Sequence, residues 1–262
     1  MESDTILRLG FFAVALIILA TIEHIFPRQK LTISKKFRWS RNLSLIIINS
    51  IAVKILLPFT LATVAIYAQN NDMGLFNYFS APPLVTIILS FIVLDLLIYA
   101  QHVAFHHIPI FWRFHKIHHI DQEIDVTTGL RFHPIEILLS HLIKCYGVLV
   151  LGAPVLAVII FEITLNVMAM FTHSNLKLPN KLDKYIRLVF VTPDMHRVHH
   201  STVVTETNSN FGFNFSFWDK FFTTYKDQPQ SGHKKMKIGL KEYPNYKENS
   251  LKQIITLPFT KQ

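Results

Sequence analysis

Histidine is concentrated in one stretch of the chain, where six of the eighteen residues in 102–119 are histidine. Their spacing gives an H-x-x-x-H pair followed by an H-x-x-H-H group, and a second H-x-x-H-H group begins eighty-one residues after the first. The eight motif histidines are His102, His106, His115, His118, His119, His196, His199 and His200. Because residues three and four apart share one face of a helix, each motif brings its imidazoles together if it is helical.

The number of histidines predicts a site for two metal ions. Imidazole is a ligand suited to iron, zinc, copper and nickel. Three or four protein ligands satisfy one ion, so eight are too many for a single ion. The single cysteine, Cys145, excludes an internal disulfide and a thiolate cluster, which leaves nitrogen and oxygen ligands. Neither H-x-x-H-H group contains the glutamate of the H-E-x-x-H metalloproteases, so the pattern does not indicate a zinc hydrolase of that class.

The elements that position these histidines are predicted to be membrane-spanning helices. Half of the residues are apolar, and the mean hydropathy is +0.32, which is high for a water-soluble protein. Apolar runs long enough to span a bilayer occupy 7–26, 43–68 and 84–101, and the second run contains Pro58 as a predicted kink. A fourth run, 137–171, is interrupted near 151–154 and predicts a helical hairpin, although a re-entrant loop is an alternative.

The charge pattern predicts the orientation of these spans. The net charge of +9 is carried by segments that flank apolar runs, which favours contact with a membrane surface over binding to nucleic acid. Residues 27–42 include six basic and no acidic side chains, residues 69–82 contain no Lys or Arg, and fourteen Lys or Arg follow residue 173. The positive-inside rule therefore predicts an outside N-terminus and a cytoplasmic C-terminus, with every histidine motif on the cytoplasmic side. The first residues lack a basic segment, so no cleavable signal peptide is expected.

The histidine motifs and the segments between them resemble the sterol desaturase and fatty acid hydroxylase superfamily, in particular its bacterial members. The resemblance covers about residues 90–225 and continues through DVTTGLRFHPIE (125–136), FTHSN (171–175), TPDMHRVHHS (192–201) and NSNFGFNFSFWDKFFTTY (208–225). Two departures are visible. Val103 stands where bacterial relatives commonly have Arg, and FTTY at 222–225 replaces F-G-T-Y. Neither departure removes a motif histidine.

The resemblance implies an all-α integral membrane protein with about four to five transmembrane helices and a cytoplasmic, histidine-rich helical cap that holds a dimetal centre. It assigns the eight motif histidines as iron ligands and adds His173 as a ninth. It also matches His133, as a tenth ligand or as a hydrogen-bonding neighbour of the ligands. The chain then divides into transmembrane helices (1–101), a catalytic region (102–225, with the hairpin at 137–171) and a basic C-terminal tail (226–262).

Three further residues are predicted to orient ligand imidazoles by hydrogen bonding. Asp95 lies on one helical stripe with His102, and a carboxylate inside an apolar span is costly and usually functional. Metal-bound histidines generally donate their second N–H to such an acceptor. The alternative to this role is that Asp95 occupies a wet interfacial pocket or pairs with a basic side chain. Asn175 and Asp194 are weaker candidates for the same role.

The function implied by the resemblance is a membrane-bound di-iron oxygenase of lipid biosynthesis, an oxidoreductase that hydroxylates a lipid C–H bond with O₂. Zinc would be an artefactual occupant of its two iron sites. The lipid would enter from the bilayer, electrons would come from a separate ferredoxin or cytochrome b5-like protein, and the expected location is a bacterial inner membrane. A desaturase with the same centre is the close alternative. A non-catalytic membrane metal-binding or transport protein is the alternative from another class.

Overall fold

The computed structural model describes residues 2–79, 81–243 and 250–260, and within these ranges the chain is helical, with no β-strand. The long helices are α1 (Glu2–Ile25), α2 (Lys35–Leu56), α3 (Leu61–Asn70), α5 (Pro83–His107), α6 (Pro109–His119), α7 (Pro134–Leu151) and α8 (Val155–His173). The short helices are α4 (Leu75–Tyr78), α9 (Asn180–Ile186), α10 (Pro193–His199), α11 (Val204–Thr207), α12 (Phe217–Phe221) and α13 (Leu251–Thr256). Single 3-10 turns occupy Thr128–Leu130 and Leu257–Phe259. The predicted all-α architecture is confirmed for the described residues.

Five helical segments of the described chain are long and apolar enough to cross a membrane. They are α1, the α2–α4 segment, α5, α7 and α8. The shortest, α7, has 18 residues and is therefore about 27 Å long, close to the thickness of a bilayer hydrocarbon core. This agrees with the five predicted spans. Their orientation across the membrane stays a prediction.

The second span differs from its predicted form at its start and at Pro58. The predicted loop 27–42 is helical from Lys35 onward, because the Arg38 guanidinium is buried against Asp125, to which its Nε donates at 2.8 Å. Pro58 was predicted to kink a continuous helix, but it lies in a complete break between α2 and α3. Proline lacks an N–H and disfavours helical geometry in the preceding residue, so α2 ends at Leu56. Thr60 caps the next helix.

The predicted interruption of the fourth apolar run is a tight turn between α7 and α8. Gly152 ends α7 with a left-handed backbone (φ +64°), a conformation that costs glycine little. Pro154 then precedes the first residue of α8. The two helices are therefore separate antiparallel segments joined by a short loop.

α8 is the central helix of the bundle, because it packs against α1, α3, α5, α10 and the 128–130 turn. The buried apolar core between α3, α5, α7 and α8 includes Leu61, Leu94, Val148 and Phe161, all with no exposed surface. The carboxyl ends of α5 and α8 meet the amino end of α7, helix α6 and the short helix α10. The histidine motifs are all at this end of the bundle.

Candidate metal centre

Four helices and one loop residue supply the predicted ligands. The H-x-x-x-H pair occupies the last two turns of α5, the first H-x-x-H-H group the end of α6, and the second group α10 and the residue after it. His173 is the last residue of α8. Each histidine therefore lies near a helix end, where the side chains of neighbouring elements converge.

The nine predicted ligands with the family's spacing form two groups, and within each group one nitrogen of every imidazole lies within 4.8 Å of the others. The first group contains His102, His106, His115, His119 and His199. The second group contains His118, His173, His196 and His200. The groups are adjacent, since the rings of His119 and His200 are stacked with centroids 4.5 Å apart. The structure thus brings these nine residues together as two neighbouring donor sets.

The distances between ring nitrogens fit donors to shared ions. In the second group, Nε2 of His173 lies 3.0 Å from Nε2 of His118 and 2.9 Å from Nε2 of His196. In the first group, the Nε2 atoms of His106 and His119 are 3.1 Å apart. Two nitrogens bonded to one ion at about 2.0–2.1 Å, at angles between 90° and tetrahedral, stand about 2.9–3.4 Å apart. The observed separations are within this interval.

The second ring nitrogen of most of these histidines is held by the protein. Nδ1 of His102, His118, His173 and His199 lies 2.7–3.2 Å from the backbone carbonyls of Phe211, Arg131, Ala169 and Ser209 respectively. A carbonyl only accepts, so in each case Nδ1 carries the hydrogen and Nε2 keeps its lone pair. The Nε2 atoms of His102, His115 and His199 are buried and have no hydrogen-bond partner among the described residues. Such orphaned lone pairs fit a metal ion.

Two side chains orient first-group histidines in the same way. Nδ1 of His115 donates to Oε1 of Glu136 at 2.7 Å, and both side chains are buried. Nδ1 of His106 lies 3.3 Å from Oδ1 of Asn208. Neither Glu136 nor Asn208 was predicted from the sequence. The signal for Glu136 was its position in RFHPIE, where a carboxylate begins an apolar run close to the histidine motifs.

Burial keeps five of these imidazoles neutral. His118, His119, His196, His199 and His200 are at most 2% exposed. Burial, followed by repulsion from neighbouring imidazoles, lowers the pKa of each well below its usual value. A lowered histidine pKa means that the unprotonated form prevails at pH 7. This is the form that binds metal ions.

His133 lies outside both groups. Its Nδ1 accepts a hydrogen bond from the backbone N–H of Ile135 at 3.1 Å and so caps α7. Its Nε2 donates to the carbonyl of Ile255 at 3.1 Å. With both ring nitrogens engaged by the backbone, His133 has no lone pair directed at either group. Its assignment as a tenth ligand stays a prediction.

Asp95, Asn175 and Asp194 hydrogen-bond other partners in the structure. Asp95 accepts from the indole N–H of Trp218 at 2.9 Å, and Asp194 accepts from Arg28 at 2.8 Å. The Asn175 side chain bonds the backbone of Gln29. Asp95 does lie on the helical stripe of His102, but seven residues separate the two along α5, or about 10 Å. Within the described residues, none of the three has a hydrogen bond to a histidine of either group.

Two cavities approach the metal centre. The larger, of about 800 Å³, is lined by histidines of both groups and by apolar side chains that include Phe105, Leu130 and Phe213. The smaller, of about 190 Å³, reaches His106 from another direction, past Trp112 and Asn208. The larger cavity lies among the predicted spans, so a lipid-sized molecule can reach both donor sets from within the bundle.

Comparisons with known proteins agree with this geometry. The model of the family described as "Fatty acid hydroxylase" matches residues 87–224, a range that contains all nine histidines of the two groups. The ornithine lipid hydroxylase OlsE of Rhizobium tropici is 30% identical over 145 residues, which are 55% of this chain and 43% of that protein. The alkylglycerol monooxygenase of Caenorhabditis elegans is 28% identical over 134 residues (50% and 25%), and the human enzyme 28% over 138 residues (52% and 30%). The chain thus spans less than half the length of these curated relatives, and no solved structure matches it.

Proposed function

The chain belongs to the fatty acid hydroxylase family, and from this premise we propose that the protein is a membrane-bound di-iron oxygenase that hydroxylates a C–H bond of a lipid. The observation that carries the proposal is the pair of adjacent, buried donor sets, five and four imidazoles, at the end of a lipid-sized cavity. When bound there, two iron ions would supply the O₂ activation and electron storage that hydroxylation of an unactivated C–H bond needs. Zinc has no redox chemistry, so a zinc-loaded centre would be inactive.

The protein residues would bind, orient and exclude water. The nine imidazoles of the two groups would hold the ions through Nε2, while Glu136 and Asn208 fix the ring orientation of His115 and His106. His133 would serve as the N-cap of α7 instead of a ligand. Apolar side chains of the large cavity would exclude water from the reacting carbon.

The partners follow from the chemistry of the reaction. Conversion of R–H and O₂ to R–OH and water consumes two electrons and two protons per turnover, so we propose a separate electron donor of the ferredoxin or cytochrome b5 type. The substrate would enter from the bilayer of a bacterial inner membrane, with the histidines and the C-terminus on the cytoplasmic side. The proposed division is into transmembrane helices (1–101), catalytic region (102–225) and tail (226–262). Part of the tail packs against the histidine-bearing helix α6, through the 257–259 turn.

Hydroxylation is favoured over the two alternatives. The named relatives are a hydroxylase and monooxygenases of lipids, which supports oxygen insertion over desaturation. A metal transporter would need ligands distributed along a path through the spans. Here the donors are gathered in one buried cluster at the helix ends, and this arrangement supports an enzyme.

The test is the metal content of the detergent-purified protein, followed by turnover. We expect about two irons per chain in the wild type and easier loss of iron to a chelator in His102→Ala and His118→Ala, because each variant removes one donor from a different set. His133→Ala should keep both ions. The iron-loaded protein, supplied with a reductant, O₂ and a bacterial lipid extract, should yield a lipid heavier by one oxygen atom in mass spectra. One tightly bound zinc and no oxygenated product would contradict the proposal.

A further inference from the structure

The large cavity has a charged region away from the metal centre. Besides histidines of both groups, its lining includes Arg8, Lys54, Lys144 and Glu162. On α8, Glu162 precedes His173 by eleven residues, or about 16 Å along the helix axis. On α7, Lys144 follows Glu136 by eight residues, or about 12 Å. The charged region therefore lies well inside the predicted membrane spans, at a distance from the donor sets.

The charged side chains of three helices meet across this region. Arg8 of α1 forms an ion pair with Glu162 of α8, and the two side chains are only 20% and 17% exposed. Lys144 of α7 interacts electrostatically with the same carboxylate. The neighbouring Gln101 and Ser140 also line the cavity and hydrogen-bond each other at 3.1 Å. The region is thus polar on several sides.

The charges of the cavity lining do not balance at this end. Among the described lining residues, three are cationic at this end and only Glu162 is anionic. The other carboxylate of the lining, Glu136, is at the metal end and accepts a hydrogen bond from His115. Excess positive charge within a membrane span is costly unless an anion offsets it, and such charges usually mark a ligand path. An anion in the cavity would provide that offset.

We propose that this charged region, formed by Arg8, Lys54, Lys144 and Glu162, binds the anionic group of the lipid substrate, a carboxylate or a phosphate, and directs its hydrocarbon chain along the cavity toward the histidines. This inference rests on the proposed function and names the substrate class. A volume of about 800 Å³ is ample for a long-chain lipid. It follows that the oxidised carbon lies in the chain, remote from the anionic group.

The test measures equilibrium binding of radiolabelled palmitate to the detergent-purified full chain, with competition by hexadecyl phosphate and by the uncharged methyl palmitate and hexadecanol. We expect the two anions to bind roughly tenfold more tightly than the uncharged lipids, as charge-assisted hydrogen bonds predict. Lys144→Gln should abolish this preference, and Lys144→Arg should restore it. Lys181→Gln, a matched change on the exposed surface of α9, should leave it intact.

A second variant guards against misfolding of Lys144→Gln. Lys54 is exposed in the isolated chain, so Lys54→Gln should fold and still weaken anion binding. Equal affinity of the wild type for palmitate and methyl palmitate would overturn the proposal, as would an unchanged preference in both variants. Competition by inorganic phosphate as strong as that by hexadecyl phosphate would overturn the lipid assignment. Binding can be measured without turnover. If the purified chain binds no iron but still prefers anionic lipids, the oxygenase proposal is contradicted and the anion-binding proposal is not.

Discussion

Glu136 is a carboxylate that hydrogen-bonds directly to a predicted ligand, His115. Its carboxylate accepts the Nδ1–H of His115 at 2.7 Å, and both side chains are buried. The bond fixes the tautomer of His115 and raises the basicity of its Nε2. Asp95, the carboxylate expected in this role, bonds Trp218 instead.

The different partners of Glu136 and Asp95 give a prediction in which Asp95 serves as the control. Glu136→Gln should lower the iron affinity of the first group by about 10- to 100-fold, because an amide is a weaker acceptor for the His115 N–H. The same acid-to-amide change at Asp95 should leave iron affinity close to that of the wild type. Competition with a coloured chelator measures both. A larger loss in Asp95→Asn than in Glu136→Gln would show that the hydrogen-bond assignment is wrong.

Residue types and spacing were enough to predict the eight motif histidines, and the family resemblance added His173, but neither revealed their hydrogen-bond partners. The spacing of His115, His118 and His119 has a local cause, the geometry of one helix. The pairing of His115 with Glu136 joins α6 to α7 across a loop, and four other histidines are oriented by backbone carbonyls. Every residue has a carbonyl, so no side-chain pattern reveals which one is used.

At the level of helices, each H-x-x-H-H group serves both donor sets. In α6, His115 and His119 belong to the first group and His118 to the second; in α10 and its next residue, His199 joins the first group. Successive residues of a helix point about 100° apart, so adjacent histidines such as His118 and His119 belong to different donor sets. The doubled histidine of the motif is therefore the feature that joins the two sets.

Gly129 controls where α8 ends relative to these helices. A Cβ at this position would lie 2.3 Å from the backbone oxygen of Ala169, one turn before His173. Gly129→Ala should therefore push α8 away, remove His173 from the second group and lower both the thermal midpoint and the iron content. Calorimetry and metal analysis of the purified protein measure these effects.

Gly10→Ala is the matched control for this change. Nothing lies within 4 Å of a Cβ there, and alanine favours helix over glycine, so the variant should be at least as stable as the wild type. An iron content in Gly129→Ala equal to that of Gly10→Ala would contradict the proposed role of the close contact.

The helices were predictable where a long apolar run marks them. They were hard to predict where contacts with residues distant in the chain determine where a helix begins. Four of the five spans agree with the apolar runs within a few residues. The start of α2 does not, because residues 35–42 are basic and read as a loop. The burial of Arg38 depends on Asp121 and Asp125, more than eighty residues away, and no local pattern encodes that contact.

For the molecule as a whole, the predicted orientation puts the 69–82 loop outside and the tail inside. Cys145 is the single cysteine and is buried, so Cys145→Ser supplies a suitable background. In this background, Asn71→Cys should react with a membrane-impermeant maleimide in intact cells, and Lys234→Cys only after the membrane is opened. Labelling in the opposite order would invert the topology. Labelling of both in intact cells would contradict an odd number of crossings between them.

Part of the charged region of the cavity lies outside the motif-bearing part of the sequence. Arg8 and Lys54 precede the range that matches the family, and they lie in two separate apolar runs. Their common cavity arises only when α1 and α2 pack beside α7 and α8. A contact between helices so far apart in the chain leaves no local pattern in the sequence, so it could not be predicted.

The ion pair between Arg8 and Glu162 has a consequence for the order of assembly. The two residues are separated by 154 positions, and a ribosome adds about 5–20 residues per second, so the carboxylate is made roughly 8–30 s after the guanidinium. During that interval α1 is already synthesised, but the helix against which it packs does not yet exist. The packing of the first helix against α8 therefore forms late in synthesis. The second histidine group is completed later still, because His196 and His200 follow Glu162 in the chain.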